Sequence, residues 1–180
     1  MTLVLVAALV LVGLLCSLDL LLTVGVIKRL REHTELLSRK GETPSLTTGE
    51  EVGAFSATSV DGEAVTDTMI DIETVVAFFS TTCGPCKEKL PKFVEYARSV
   101  PGGRDRVLAT VIGEPGETAA MVEALRPVAR VTTEDASGVM GEAFKVMAYP
   151  VVLKVNRTTD GRLLVMTDQV DVDRPAVAPV

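Results

Sequence analysis

The sequence predicts an α/β domain, a mixed sheet flanked by helices, carried behind one N-terminal transmembrane helix. Three observations predict it. Thr2 to Ile27 is a run of 26 residues with a single charge, Asp19. Farther along, β-branched runs alternate with stretches of helical periodicity. The order of those stretches, strand–helix–strand first and a hairpin last, makes the sheet part parallel and part antiparallel.

The first run is long enough for the bilayer core, which takes about 20 apolar residues in a helix. It lacks the basic start, short apolar centre and small-x-small exit of a cleaved signal. Cys16 follows Gly13-Leu14-Leu15 and so lacks the pattern of a lipoprotein signal. Residues 2–27 are therefore expected to be an uncleaved anchor in contact with membrane lipid. Asp19 inside it would cost about 2.5–3.5 kcal/mol if central and ionised. Cys16, three residues earlier, would share its helix face. Residues 28–40 (KRLREHTELLSRK) continue as a juxtamembrane helix, and Gly41 to Ser45 breaks it into a linker, so 28–49 connects anchor to body.

The body follows as residues 50–168. Phe55–Val65 is two short runs around Asp61-Gly62, a hairpin signal. Thr74–Ser80 (TVVAFFS) reads as a strand buried on both faces. Gly84–Ser99 has a helical pattern with Pro91 inside it, where a kink is expected. Arg106–Ile112 is a second buried strand, Glu117–Arg126 a helix and Val128–Thr132 a strand. Asp135-Ala136-Ser137 is placed to cap a short helix ending near Phe144. Val151–Val155 and Leu163–Thr167 flank the turn Thr159-Asp160-Gly161. Residues 169–180, with two prolines and no pattern, are expected to be a disordered tail.

Charge excludes one class of function. The net charge of −6 is uneven: residues 28–40 carry +3 and residues 41–180 carry −8. An acidic body without a basic patch does not neutralise phosphates, so no nucleic acid is expected as a partner. The three cysteines make no disulfide framework. His33, the single histidine, stands far from all of them and reads as a solvated helix residue.

The chemistry lies in Cys83-Gly84-Pro85-Cys86, directly after a buried strand and at the opening of a helix. Two cysteines one turn apart can close a small disulfide ring. Cys83 would face unpaired backbone N–H groups and the positive end of the helix dipole, which stabilise a thiolate. Cys86, one turn in, would be shielded and attack only a sulfur already bonded to Cys83. Pro85 suits the first helical turn, where its missing N–H costs nothing.

The stretch VVAFFSTTCGPCKEKLP, with Lys87 after the second cysteine and Pro91 beyond it, resembles the active-site segment of the thioredoxin superfamily. With the anchor and the FSATSVDGEAV hairpin, the chain is most similar to membrane-tethered TlpA-like thiol–disulfide oxidoreductases and less so to MauD-type accessory proteins. The likeness covers about residues 50–167 and makes 50–168 a thioredoxin-like domain. It implies a cis-proline facing the disulfide, matched by Pro150 in Tyr149-Pro150-Val151. It also implies that Gly84, Pro85, Tyr149 and Pro150 contact substrate. No cofactor beyond a redox-active Cys83–Cys86 disulfide is implied. The partners would be client protein disulfides or thiols and an upstream thiol donor. The Gly-Pro pair points to a reductant or isomerase rather than a strong oxidant.

The departures are specific. Ala77 stands where thioredoxin has a buried Asp, Thr82 replaces the usual Trp, and no helix follows the last strand, which would leave one sheet face thinly covered. A tethered interaction or copper-handling module with little redox turnover is the competing reading. A closed zinc site needs four ligands, and the body offers two cysteines and no histidine. Location is contested as well. Lys28, Arg29 and Arg31 directly after the apolar run put the body in the cytoplasm, whereas the TlpA-like resemblance implies the outer face of a bacterial cell membrane.

Overall fold

The computed structural model describes Met1, Leu11, Gly13, Leu14 and residues 44–176. The chain divides into two compact units, Met1–Thr43 and Pro44–Val180. Of the first unit, Leu11, Gly13 and Leu14 are helical. The rest of the expected anchor and the juxtamembrane helix lie outside the described residues. Among the described residues, no helix is long and apolar enough to cross a membrane.

The second unit is built on a five-stranded sheet. A short antiparallel hairpin pairs β1 (Ser56–Thr58) with β2 (Ala64–Thr66) around Asp61-Gly62, as expected. The main strands are β3 (Thr74–Ser80), β4 (Val107–Ile112), β5 (Arg130–Glu134), β6 (Val151–Arg157) and β7 (Leu163–Thr167), in the order β5-β4-β3-β6-β7. β3–β4 and β4–β5 are parallel, while β3–β6 and β6–β7 are antiparallel. All seven residues of the central β3 are buried, which is why it reads as an unbroken apolar run.

Alternation along β3 divides the core. Val75, Ala77 and Phe79 join one cluster with Phe93, Val94 and Ala97 of α1 (Gly84–Arg98) and Met121 and Leu125 of α2 (Ala119–Leu125). Val76 and Phe78 face the other side, with Leu46, Val52, Phe55, and Met140 of α3 (Val139–Ala143), and with Phe144. Phe144 holds its ring 5.3 Å from Phe78 and 5.7 Å from Phe55. α1 runs unbroken from Gly84 to Arg98 with Pro91 inside it. It stops at Ser99, and Gly102 then takes φ 88°, where a side chain would meet Arg106.

Three expectations are corrected. The segment read as a linker is part of the body from Pro44 onward: Leu46 is buried, its N–H bonds to the Phe144 carbonyl at 3.1 Å, and residues 49–52 pair with the free edge of β7. Its polar composition hides two apolar anchors, Leu46 and Val52. The tail is likewise packed as far as Ala176. Val172 is buried against the α1 side of the sheet, Lys92 pairs with Asp173 at 2.6 Å, and the Ala176 N–H donates to Ser99 Oγ at 2.8 Å. That packing adds cover to a face expected to be thinly covered. Finally, α3 takes Gly138 as its N-cap with no side-chain cap, and Asp135 instead accepts from the nearby Ser137 N–H at 2.8 Å.

Candidate active site

β3 delivers the chain to Cys83, the N-cap of α1, with extended backbone at φ −90° and ψ 115°. An extended N-cap turns its side chain back over the first helical turn. The Cys86 N–H donates to Cys83 Sγ at 3.2 Å, so the sulfur occupies the place of an ordinary capping oxygen. Gly84 and Pro85 fill the exposed first turn. Cys86 is fully buried in the α1-side core, and the Ser80 N–H donates to its sulfur at 3.4 Å. The two cysteines form a disulfide with their Cα atoms 5.2 Å apart. One sulfur is half-exposed and capped by an N–H; the other is closed in.

The loop before β6 completes the site. The Tyr149–Pro150 bond is cis, both residues are half-buried, and the Tyr149 carbonyl oxygen lies 3.4 Å from Cys83 Sγ. The structure thus brings Cys83, Cys86 and Tyr149 together, with Pro150 beside them. Ala77 is fully buried in the same cluster as Cys86 and brings no carboxylate to it. Thr82 is exposed, its hydroxyl 3.1 Å from Ser80 Oγ.

Glu134, at the end of β5, was not singled out from the sequence. Its carboxylate accepts from Met140 N–H at 3.0 and 3.1 Å and from Gly141 N–H at 3.3 Å, holding the start of α3. Gly138 makes room for it, since a Cβ there would collide with the Glu134 carboxylate. Burial pushes the Glu134 carboxyl above its usual range against these hydrogen bonds, and its charge in turn adds to the raised Tyr149 phenol, which burial raises first. A carboxylate at the C-terminal end of a parallel strand, where ligands gather in such sheets, was the available signal. Among the described residues, no group of three or more His, Cys, Asp and Glu is placed to hold a metal ion.

No protein-family model and no curated protein sequence matches the chain. Solved structures do. The thioredoxin domain of a thiol-disulfide oxidoreductase from Bacteroides vulgatus superposes with TM-score 0.51 at 14% identity, over 67% of this chain and 88% of that one. A thiol:disulfide interchange protein from Bacteroides sp. gives 0.54 at 14% identity, over 71% and 84%. One described as a putative protein disulfide isomerase, from Bacteroides thetaiotaomicron, gives 0.50 at 15% identity, over 67% and 79%. At such identities the likeness is one of fold, and the fold of the body is thioredoxin-like.

Proposed function

We propose that the protein is a membrane-tethered thiol–disulfide oxidoreductase that exchanges disulfides with client proteins through Cys83 and Cys86. The observation that carries this reading is the division between the two sulfurs. Cys83 is reachable and receives a backbone N–H that favours its thiolate, whereas Cys86 is buried. In the reductive direction the Cys83 thiolate attacks a client disulfide. That forms a Cys83–client bond and releases one client sulfur as thiolate. Cys86, after losing its proton, attacks Cys83 Sγ, releases the second client sulfur and leaves the protein oxidised. Two electrons pass from the pair to the client, and an upstream thiol donor returns them. The Gly-Pro pair between the cysteines favours reductant or isomerase over oxidant, and the Tyr149 carbonyl beside Cys83 Sγ is placed to receive a client backbone N–H. Tethering rests on the apolar run 2–27, of which Leu11 and Leu14 are helical with exposed side chains.

The opposing reading, an interaction or copper-handling module with little turnover, is favoured by Ala77, which offers Cys86 no proton acceptor. One experiment separates them. The purified full-length protein, recharged by dithiothreitol, should reduce insulin disulfides well above the dithiothreitol background. Cys86→Ser should accumulate a mixed disulfide through Cys83, and Cys83→Ser none. Absence of both reduction and trapping would leave only the module.

A further inference from the structure

The half-exposed sulfur opens onto a groove formed where the chain leaves β3, β4 and β5. Ile112 and Tyr149 are its larger apolar lining residues. The lining also includes Thr81, Glu114, Glu117 and Asp135. Gly113 lies close against Thr81: a Cβ there would lie 2.6 Å from Thr81 Oγ1. Thr81 in turn donates from its hydroxyl to Glu117 at 3.4 Å. All three carboxylates are exposed. None of them is in an ion pair with Lys or Arg among the described residues. No basic side chain lines the groove, and Lys87, next after Cys86, is not part of it.

We infer that this groove selects, among thiol and disulfide clients, those that present a cationic side chain beside the reacting sulfur. The inference rests on the exchange reading of the same site. The reactive sulfur makes the groove a place of contact, because any attacking or leaving sulfur must lie within bonding distance of Cys83. The acidic rim then sets the sign of what is received. A client Lys or Arg flanking its cysteine meets carboxylates that have no cationic partner, and a client Glu or Asp meets like charge. An acidic thiol reductant is disfavoured for the same reason.

The test uses the full-length protein, reduced with dithiothreitol and freed of it, and three small disulfides: cystamine, hydroxyethyl disulfide and dithiodipropionate. Each is reduced to two thiols as Cys83 and Cys86 are oxidised, and each rate is divided by that disulfide's rate with free dithiothreitol. At low ionic strength the normalised rate with the dication should exceed that with the dianion about tenfold, and the ratio should fall toward one in 1 M salt. It should also collapse in Glu114→Gln/Glu117→Gln/Asp135→Asn, a variant that keeps the Thr81 and Ser137 hydrogen-bond acceptors. A ratio near one in the unaltered protein, or one that survives in the triple variant, overturns the charge selection while leaving exchange intact. Failure to react with all three disulfides overturns the exchange reading with it.

Discussion

Glu134 shows how a single side chain can set stability and site geometry together. Its carboxylate holds the first N–H groups of α3, and α3 leads within a few residues to the Tyr149–Pro150 turn against Cys83. Burial raises its folded pKa, so the folded state holds a proton more tightly than the unfolded chain does. Stability therefore declines as pH rises from the unfolded value of about 4.3 through the raised folded value. Glu134→Gln keeps an acceptor for Met140 and removes the titration. Urea unfolding at pH 4 and pH 7 should show the variant gaining on the unaltered protein as pH rises. A difference constant with pH would mean that Glu134 is not strained by burial. The cysteines were legible in the sequence because their chemistry is local, one helical turn in Cys83-Gly84-Pro85-Cys86. Glu114, Glu117, Glu134 and Asp135 were not. They meet at one end of the sheet only because β4 lies between β3 and β5, and that order is a long-range property.

At the scale of elements, the long apolar strands and α1 declared themselves by period, while the segments that finish the sheet did not. Both sheet edges would present unpaired backbone groups. Residues 49–52 cover β7, and the stretch after β1 covers β5, where the Val60 N–H bonds to the Val131 carbonyl at 2.8 Å and Ser59 bridges Thr132. Asp61 holds that second cover by pairing with Arg104 and Arg126. These covers are polar runs in which one residue in several is buried, so no window of sequence shows a periodic face. Leu46 and Val172 are of this kind: by sequence the first reads as part of a linker and the second as part of a disordered tail. Leu46→Ala should accordingly cost about 2–5 kcal/mol, the range for a buried leucine truncated in a packed core. The measure is urea unfolding, with insulin reduction tested below the transition. A loss under about 0.5 kcal/mol, the usual limit for a surface change, would restore the linker reading.

For the molecule as a whole, the proposed tether makes the compartment of the disulfide a matter for experiment. Lys28, Arg29 and Arg31 favour a cytoplasmic body by the positive-inside rule. Two considerations weigh on the other side. Cys83 and Cys86 are the only cysteines beyond residue 16, so the body holds no bystander thiol to be oxidised in an oxidising compartment. The apolar run, hairpin and CGPC together resemble TlpA-like proteins, and that resemblance implies the outer face. An outward body would also need its electrons delivered across the membrane, which fits a dithiol recharged by a separate donor. Alkaline phosphatase, which needs disulfides to become active, should therefore be active when fused after Val180 in a bacterial host, and β-galactosidase at the same junction should be inactive. The reverse pattern would place the domain inside, where soluble thiols could recharge Cys83 and Cys86 directly, and the exchange chemistry at Cys83 would stand unchanged.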